Sequence, residues 1–248
     1  TKAAIVTKAN NTLIKLGEGS YTTYNKMLAN FVDVNAEQIT NIVANGFVSG
    51  QTTRAIASAV MGELDTKLAG VRKQAMTVAI TGTNHYANQA RMQYIEDNSD
   101  ILQGFRLIAT LDSRTSQKCR GLDQTVHKAN ESRFVPPLHP RCRTSAVPEL
   151  DSRFKFDDEG GQRASNFRKS DGYLDPKPVS SQQTYYDALS KLSKEDQNLV
   201  LGKKLGDAFR QMSPSDFAKQ TIDSVGNPLT MAEMMRKDNE LGRLLKRV

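Results

Sequence analysis

The chain has no tryptophan, and its 248 residues contain only seven tyrosines and nine phenylalanines. So thin an aromatic supply argues against a reader of single-stranded nucleic acid, which needs stacking platforms for bases. Two cysteines, Cys119 and Cys142, exclude a disulfide-rich secreted scaffold. No apolar run approaches the roughly 20 residues that span a bilayer, and the first residues show no signal-peptide pattern. No Gly-Lys-Ser/Thr follows Gly160-Gly161, which removes a phosphate-cradling loop. There is no run of five or six Lys or Arg, although the net charge is +7 and the pI near 9.4. The basic balance favours an anionic partner, most commonly nucleic acid, without marking out a basic patch. Three histidines, His85, His127 and His139, leave a hydrolase few bases.

What is present suffices for a fold. With 38% hydrophobic residues, the length allows one large domain or two small ones. Residues 1–34 read as a partly extended arm with one or two short helices, broken at Gly17-Glu18-Gly19-Ser20. Asn35 to Gly46 reads as a helix, capped by Asn35 with Gln38 and closed by Gly46, with Ile39, Ile42 and Val43 on one face. Ile56, Val60, Met61 and Leu64 share the face of a second helix, and a third runs from about Lys67 to Asp97. Gly82 interrupts that third helix, and His85 on it reads as a solvated or hydrogen-bonded surface side chain. Residues 149–182 are polar and poor in aliphatics, as in a linker or a segment laid across a partner. Residues 183–248 read as a series of helices, with Ser193 and Ser213 at helix starts and one closing helix from Leu229 through Leu245.

The chemistry is concentrated between Leu107 and Pro148. Phe105, Leu107, Ala109 and Leu111 alternate with more polar residues, as in a half-buried strand. Asp112-Ser113-Arg114-Thr115 ends it, and Thr115 can cap a helical turn stopped by Gly121. Leu122-Asp123-Gln124 reads as a turn and Thr125-Val126 as a short strand. Pro136, Pro137 and Pro140 stiffen the approach to His139 and Cys142. Thr144 to Val147 returns as a further strand. The expected fold is α+β: mainly helical, with a small antiparallel sheet from segments near 105–112, 125–127 and 143–147. The long helix covers its apolar face.

Cys119, His139 and Cys142 admit three readings. They are zinc ligands lacking a fourth, which His127 or a carboxylate could supply. Alternatively, Cys119 and Cys142 form a disulfide, or both sit reduced in a small core. An enzyme built here would use Cys119 as nucleophile and His139 as base, with Asp112 or Asp123 orienting. A metal nuclease would draw on Asp112, Asp123, His127 and His139. No cysteine-hydrolase signature surrounds these residues.

As a pattern, the stretch is more specific. Leu111-Asp112-Ser113-Arg114-Thr115-Ser116-x-x-Cys119, then Leu122-Asp123, then Pro136-Pro137-Leu138-His139-Pro140-x-Cys142-Arg143 resembles the phage head-morphogenesis proteins, minor head proteins of the Mu F-like kind. Some members carry cysteine where this chain has Ser116, and most carry Asp-Gly where it has Asp123-Gln124. The resemblance extends upstream through Asn88, Ala90 and the Gly104-Phe105-Arg106 strand. Downstream it runs through Gln183 to Asp187, Val200 to Lys204 and Pro228 to Met231, covering roughly residues 36–240. Members often carry Arg-Thr-Glu in the long helix, where Ile80 to Asn84 stands here.

Composition and resemblance together give four expected segments: an arm over 1–34, a head-morphogenesis core over 35–148, a polar linker over 149–182 and a helical region over 183–248. It implies a non-enzymatic minor capsid protein of a tailed phage, associated with the portal and the capsid interior. Such a protein acts in head morphogenesis and in DNA packaging or ejection, in the virion and, during assembly, in the host cytoplasm. Portal protein, major capsid protein and packaged DNA are the expected partners, with no small-molecule substrate and no cofactor beyond a structural zinc. The alternatives are a DNA-binding protein without a fixed place in the particle, or a metal-dependent nuclease-like enzyme.

Overall fold

The computed structural model describes residues 2–17, 20–29, 36–65, 72–154 and 160–247. The fold is α+β, mainly helical with small sheets, and it divides into two compact units. Unit 1 comprises Thr1–Arg106 with Val126–Asp151, and unit 2 comprises Leu107–Thr125 with Ser152–Val248.

Unit 1 opens with α1 (Lys2–Asn11), the hairpin β1 (Leu13–Gly17) and β2 (Ser20–Thr23), and α2 (Tyr24–Ala29). These elements are not an extended arm. Ala9, Ile14, Tyr24 and Leu28 are fully buried in one core with Ile39, Val43, Ile56, Val60, Ala79 and Tyr86. The further helices are α3 (Ala36–Val48), α4 (Thr53–Asp65) and α5 (Arg72–Asp97). Ile39 and Val43 of α3 and Ile56 and Val60 of α4 bury the faces their spacing predicts. The cap at Asn35 and the helix start at Lys67 fall outside the described residues. Helix α3 continues past Gly46 to Val48, and the turn comes at Gly50, where φ is +71°. Gly82 lies inside α5 without breaking it. A Cβ there would stand 2.5 Å from Cε2 of Tyr24, so the missing side chain lets that ring pack onto the helix.

His85 is also not a surface residue. It is 1% exposed, with Nε2 2.6 Å from the carbonyl of Ala9 in α1. A helix this long in contact with α1, α3 and α4 buries most of its circumference, so polar residues on it are not thereby solvated.

The sheet of unit 1 has the order β4-β3-β5, with β3 at Leu102–Ile108, β4 at Val126–Lys128 and β5 at Ser145–Leu150. β3 and β4 are antiparallel, with Phe105 opposite His127. Gly104 lies opposite Lys128, and a Cβ on it would come within 2.0 Å of the His127 carbonyl oxygen, so only glycine permits the pairing. Phe105 is fully buried, and Arg106 holds Glu149 of β5 through two bonds of 2.9 and 2.7 Å. Each residue of the Gly-Phe-Arg block therefore has a structural reason. Helix α5 packs against β5, whereas β3 ends at Ile108 and Leu111, expected on the face that the long helix covers, belongs to the core of unit 2.

Unit 2 contains α6 (Gln117–Leu122), the antiparallel hairpin β6 (Gln162–Ser165) and β7 (Lys177–Ser180), and α7 (Tyr185–Ser190). Helices α8 (Lys194–Leu201), α9 (Lys203–Phe209), α10 (Pro214–Gln220), α11 (Met231–Arg236) and α12 (Glu240–Arg247) follow. The segment expected to be a polar linker thus carries a hairpin, and its Arg163 is almost fully buried. The helices are short, and side-chain caps hold their starts. Thr184 and Thr230 form capping boxes with Asp187 and Glu233, and Ser193 and Ser213 accept from the third helical amide. The expected single closing helix is two, α11 and α12, broken over residues 237–239. Phe167, Tyr185, Tyr186, Phe209 and Phe217 form the centre of the core, with successive rings 4.9–5.8 Å apart.

Candidate functional site

The Asp-Ser-Arg-Thr turn follows the apolar run in which Ala109 and Leu111 are buried. The Asp112 carboxylate accepts from the Arg114 amide and the Thr115 hydroxyl, each at 3.0 Å, and Thr115 also donates to the Thr110 carbonyl. Tyr185 donates to the Asp112 carbonyl at 2.8 Å, and Ser113 accepts from the Arg168 amide at 2.9 Å. Asp112 and Thr115 are thus spent on closing the turn. Ser116, not Thr115, caps α6, accepting from the Cys119 amide at 3.3 Å. The position where some Mu F-like members carry cysteine is therefore a helix cap in this chain. Helix α6 runs one residue past Gly121 and ends at Leu122.

Asp123 is the second fixed acid. Its carboxylate receives Arg163 at 3.0 and 3.1 Å and the Ala109 amide at 2.7 Å, with its side chain wholly buried. Burial pushes its carboxyl up, against the pull of the guanidinium and the amide. Arg163 also donates to the carbonyls of Ala109 and Gln183. Nothing near Arg163 in the sequence signals this role, because its partner lies 40 residues away. The next residue, Gln124, adopts φ +68°, the left-handed conformation that the family's usual glycine takes without strain.

In unit 1 the His-Pro-x-Cys-Arg segment is clamped by α5. Thr81 accepts from the Arg141 amide at 2.9 Å, and Asn84 donates to the carbonyls of Cys142 and Thr144. Asn88 accepts from the Ala146 amide at 2.7 Å. Thr81 and Asn84 thus make polar contacts from the stretch where members often carry Arg-Thr-Glu. The side chain of His139 is fixed by Nδ1, 2.8 Å from the Pro140 carbonyl. A carbonyl only accepts, so Nδ1 carries the proton.

Cys119 and Cys142 are buried and are not joined in a disulfide. By residue type, two soft thiolates and an imidazole make a partial tetrahedral zinc set. His127, considered as a fourth ligand, stacks on Phe134 with centroids 3.9 Å apart and lies 3.7 Å from Glu131. Asp112 and Asp123 are committed to their own turns.

Comparison with known proteins follows these residues. Residues 37–147 match the family model described as Phage Mu protein F like protein. The match supports a phage head-morphogenesis family. It spans α3 to α5, the sheet and every residue of the Asp-Ser-Arg-Thr and His-Pro-x-Cys-Arg blocks. No curated protein and no solved structure matches the chain significantly. A match to that family over this segment suggests a phage head protein, with capsid-related partners and a virion setting at that coarse level. No helix among the described residues is long and apolar enough to cross a membrane.

Proposed function

We propose that the chain is a structural minor head protein of a tailed bacteriophage. It attaches at or near the portal on the inner side of the capsid, acts in head assembly, and lies against the packaged DNA. Portal protein and major capsid protein are its protein partners. The observation that supports this over catalysis is the condition of the signature acids. Asp112 and Asp123 are both buried and saturated by amides, a hydroxyl or a guanidinium. A general acid or base needs a face open to substrate; Asp123 has none, and Asp112, which borders a cleft with Arg114 and Arg168, has its carboxylate engaged in closing its own turn. Mass spectrometry of purified heads, with the protein's position in a map of the assembled particle, tests the reading. Fixed copies next to the portal are expected. A protein absent from particles but bound to DNA in lysates would replace this reading with that of a free DNA-binding protein.

We also propose that Cys119, His139 and Cys142 hold a structural zinc, with the fourth position taken by a non-protein ligand. The buried thiols and the Nδ1-protonated imidazole support this. Metal analysis of protein purified without chelator should give close to one zinc per chain, falling when Cys142 is replaced by Ser. A metal-free protein whose melting is insensitive to chelator would leave the cluster as packing alone.

A further inference from the structure

A cleft of about 240 Å3 in unit 1 runs along α5, and its polar lining comes from Thr53, Thr83, Asn84, Arg91, Arg143 and Ser145. Among the described residues, both charged side chains in the lining are cations and none is acidic. Arg91 is the decisive residue. It is half-buried, yet among the described residues it has no hydrogen bond, ion pair or ring partner. Burial lowers its pKa, as expected for a cation without a counter-charge. Other arginines withdrawn from water are matched: Arg106 holds Glu149, Arg163 holds Asp123, and Arg210 holds Asp207. A guanidinium drawn from water with no anion beside it is unfavourable until a ligand supplies one.

The remaining lining narrows the ligand. The Thr83 hydroxyl already donates to Ala79, and the Asn84 amide donates to the carbonyls of Cys142 and Thr144. The hydroxyls of Thr53 and Ser145 remain as donors beside Arg91, and Arg143 adds positive charge. Thr53 opens α4, a 13-residue helix with no acidic side chain in its first turn. A group with several acceptor oxygens and one negative charge suits this set, and the volume holds such a group with its immediate substituents.

We propose that this cleft binds a backbone phosphate of duplex DNA through Arg91. The net charge of +7 selects a polyanion as the source of that phosphate. This deepens the head-protein reading and rests on it only for the identity of the polyanion. The experiment uses the full chain and a labelled duplex of about 20 base pairs, with binding followed by fluorescence anisotropy across a salt series. Arg91→Gln should weaken binding roughly five- to tenfold and lower the salt slope by about one. Lys26→Gln, an exposed cation of the same unit outside the cleft, should change affinity by less than twofold. Because Arg91 has no partner to lose, Arg91→Gln should melt at or above the wild-type temperature. Wild-type affinity and slope in Arg91→Gln would overturn the proposal, as would a lower melting temperature. Binding of poly-glutamate but not duplex in an Arg91-dependent way would also overturn it, assigning the cleft to a carboxylate. A wild-type chain that ignores DNA sinks this cleft and leaves the virion position untouched, since that is read from the particle map.

Discussion

The two units solve the same problem with different materials. Unit 1 builds on long helices and an aliphatic core, and buried histidine and asparagine side chains join them to neighbouring backbone. Unit 2 builds on helices of six to eight residues around five aromatic rings. Helices that short have little stability of their own. Unit 2 therefore relies on side-chain caps, ring packing and one buried ion pair, whereas unit 1 relies on contact along α5. Perturbations that separate these two strategies should differ in size and in kind.

The largest effect is expected at the ion pair of unit 2. Arg163→Ala leaves the Asp123 carboxylate buried with backbone amides as its only partners and no counter-charge, and breaking such a pair typically costs ~3–5 kcal/mol. Urea denaturation should show that loss. Replacing both partners with apolar residues of similar size should recover much of it, as desolvation then vanishes. A loss under 1 kcal/mol for the single change would mean that Arg163 does not hold the hairpin to the Asp123 turn. Unit 1 offers the matched steric test. Gly82→Ala gains helix propensity of about 1 kcal/mol but drives a methyl group into the Tyr24 ring. The net result should be a loss of about 1–3 kcal/mol, and Tyr24→Leu in the same background should relieve part of it.

Acidification should separate the units by chemistry, because all three histidines lie in unit 1. Burial lowers the pKa of His85, opposed by its bond to the Ala9 carbonyl. Burial also lowers His127, assisted by Arg133 and opposed by Glu131. A histidine whose folded pKa lies below the unfolded value of about 6.5 binds its proton more readily when unfolded. The stability it contributes is complete above that pH and is lost as pH falls through the folded pKa. Amide exchange corrected for intrinsic rates should therefore show α1 and α5 losing protection between neutral pH and pH ~5, with α7 and α10 changing less. Equal loss in both units would remove the histidine explanation. His85→Gln should flatten the response of unit 1.

These differences also explain what was legible in the sequence. The apolar period of α3 and α4 and the alternation of β3 are local, so the helices and the sheet could be read directly. The caps at Ser193 and Ser213 were equally local. The arm and the linker were misread because their burial is created by distant partners. Ala9 is covered by α5, and Arg163 is held by Asp123 across 40 residues. Polar composition alone suggested exposure there, and the same reasoning put His85 on the surface. Thr81 and Asn84, which clamp the segment of His139 and Cys142 to α5, carry no motif of their own.

The smallest expected effect concerns Gln124, where this chain departs from the family's usual Asp-Gly. Its φ of +68° costs a residue with a Cβ roughly 1–2 kcal/mol. Its side chain offsets part of that cost by donating to the Ser181 carbonyl at 2.7 Å, a bond contributing about 1 kcal/mol. Gln124→Gly removes the strain and the bond together and gives the unfolded chain about 0.5–1 kcal/mol of extra entropy. These contributions nearly cancel, so the glycine variant should unfold within about 1 kcal/mol of wild type. Gln124→Ala keeps the strain and loses the bond, so it should be the less stable of the two variants. That order reverses the usual preference for alanine over glycine. Side-by-side urea titrations of the two variants decide the matter. If alanine is the more stable, strain at Gln124 is negligible, and the chain's departure from glycine has no structural cost.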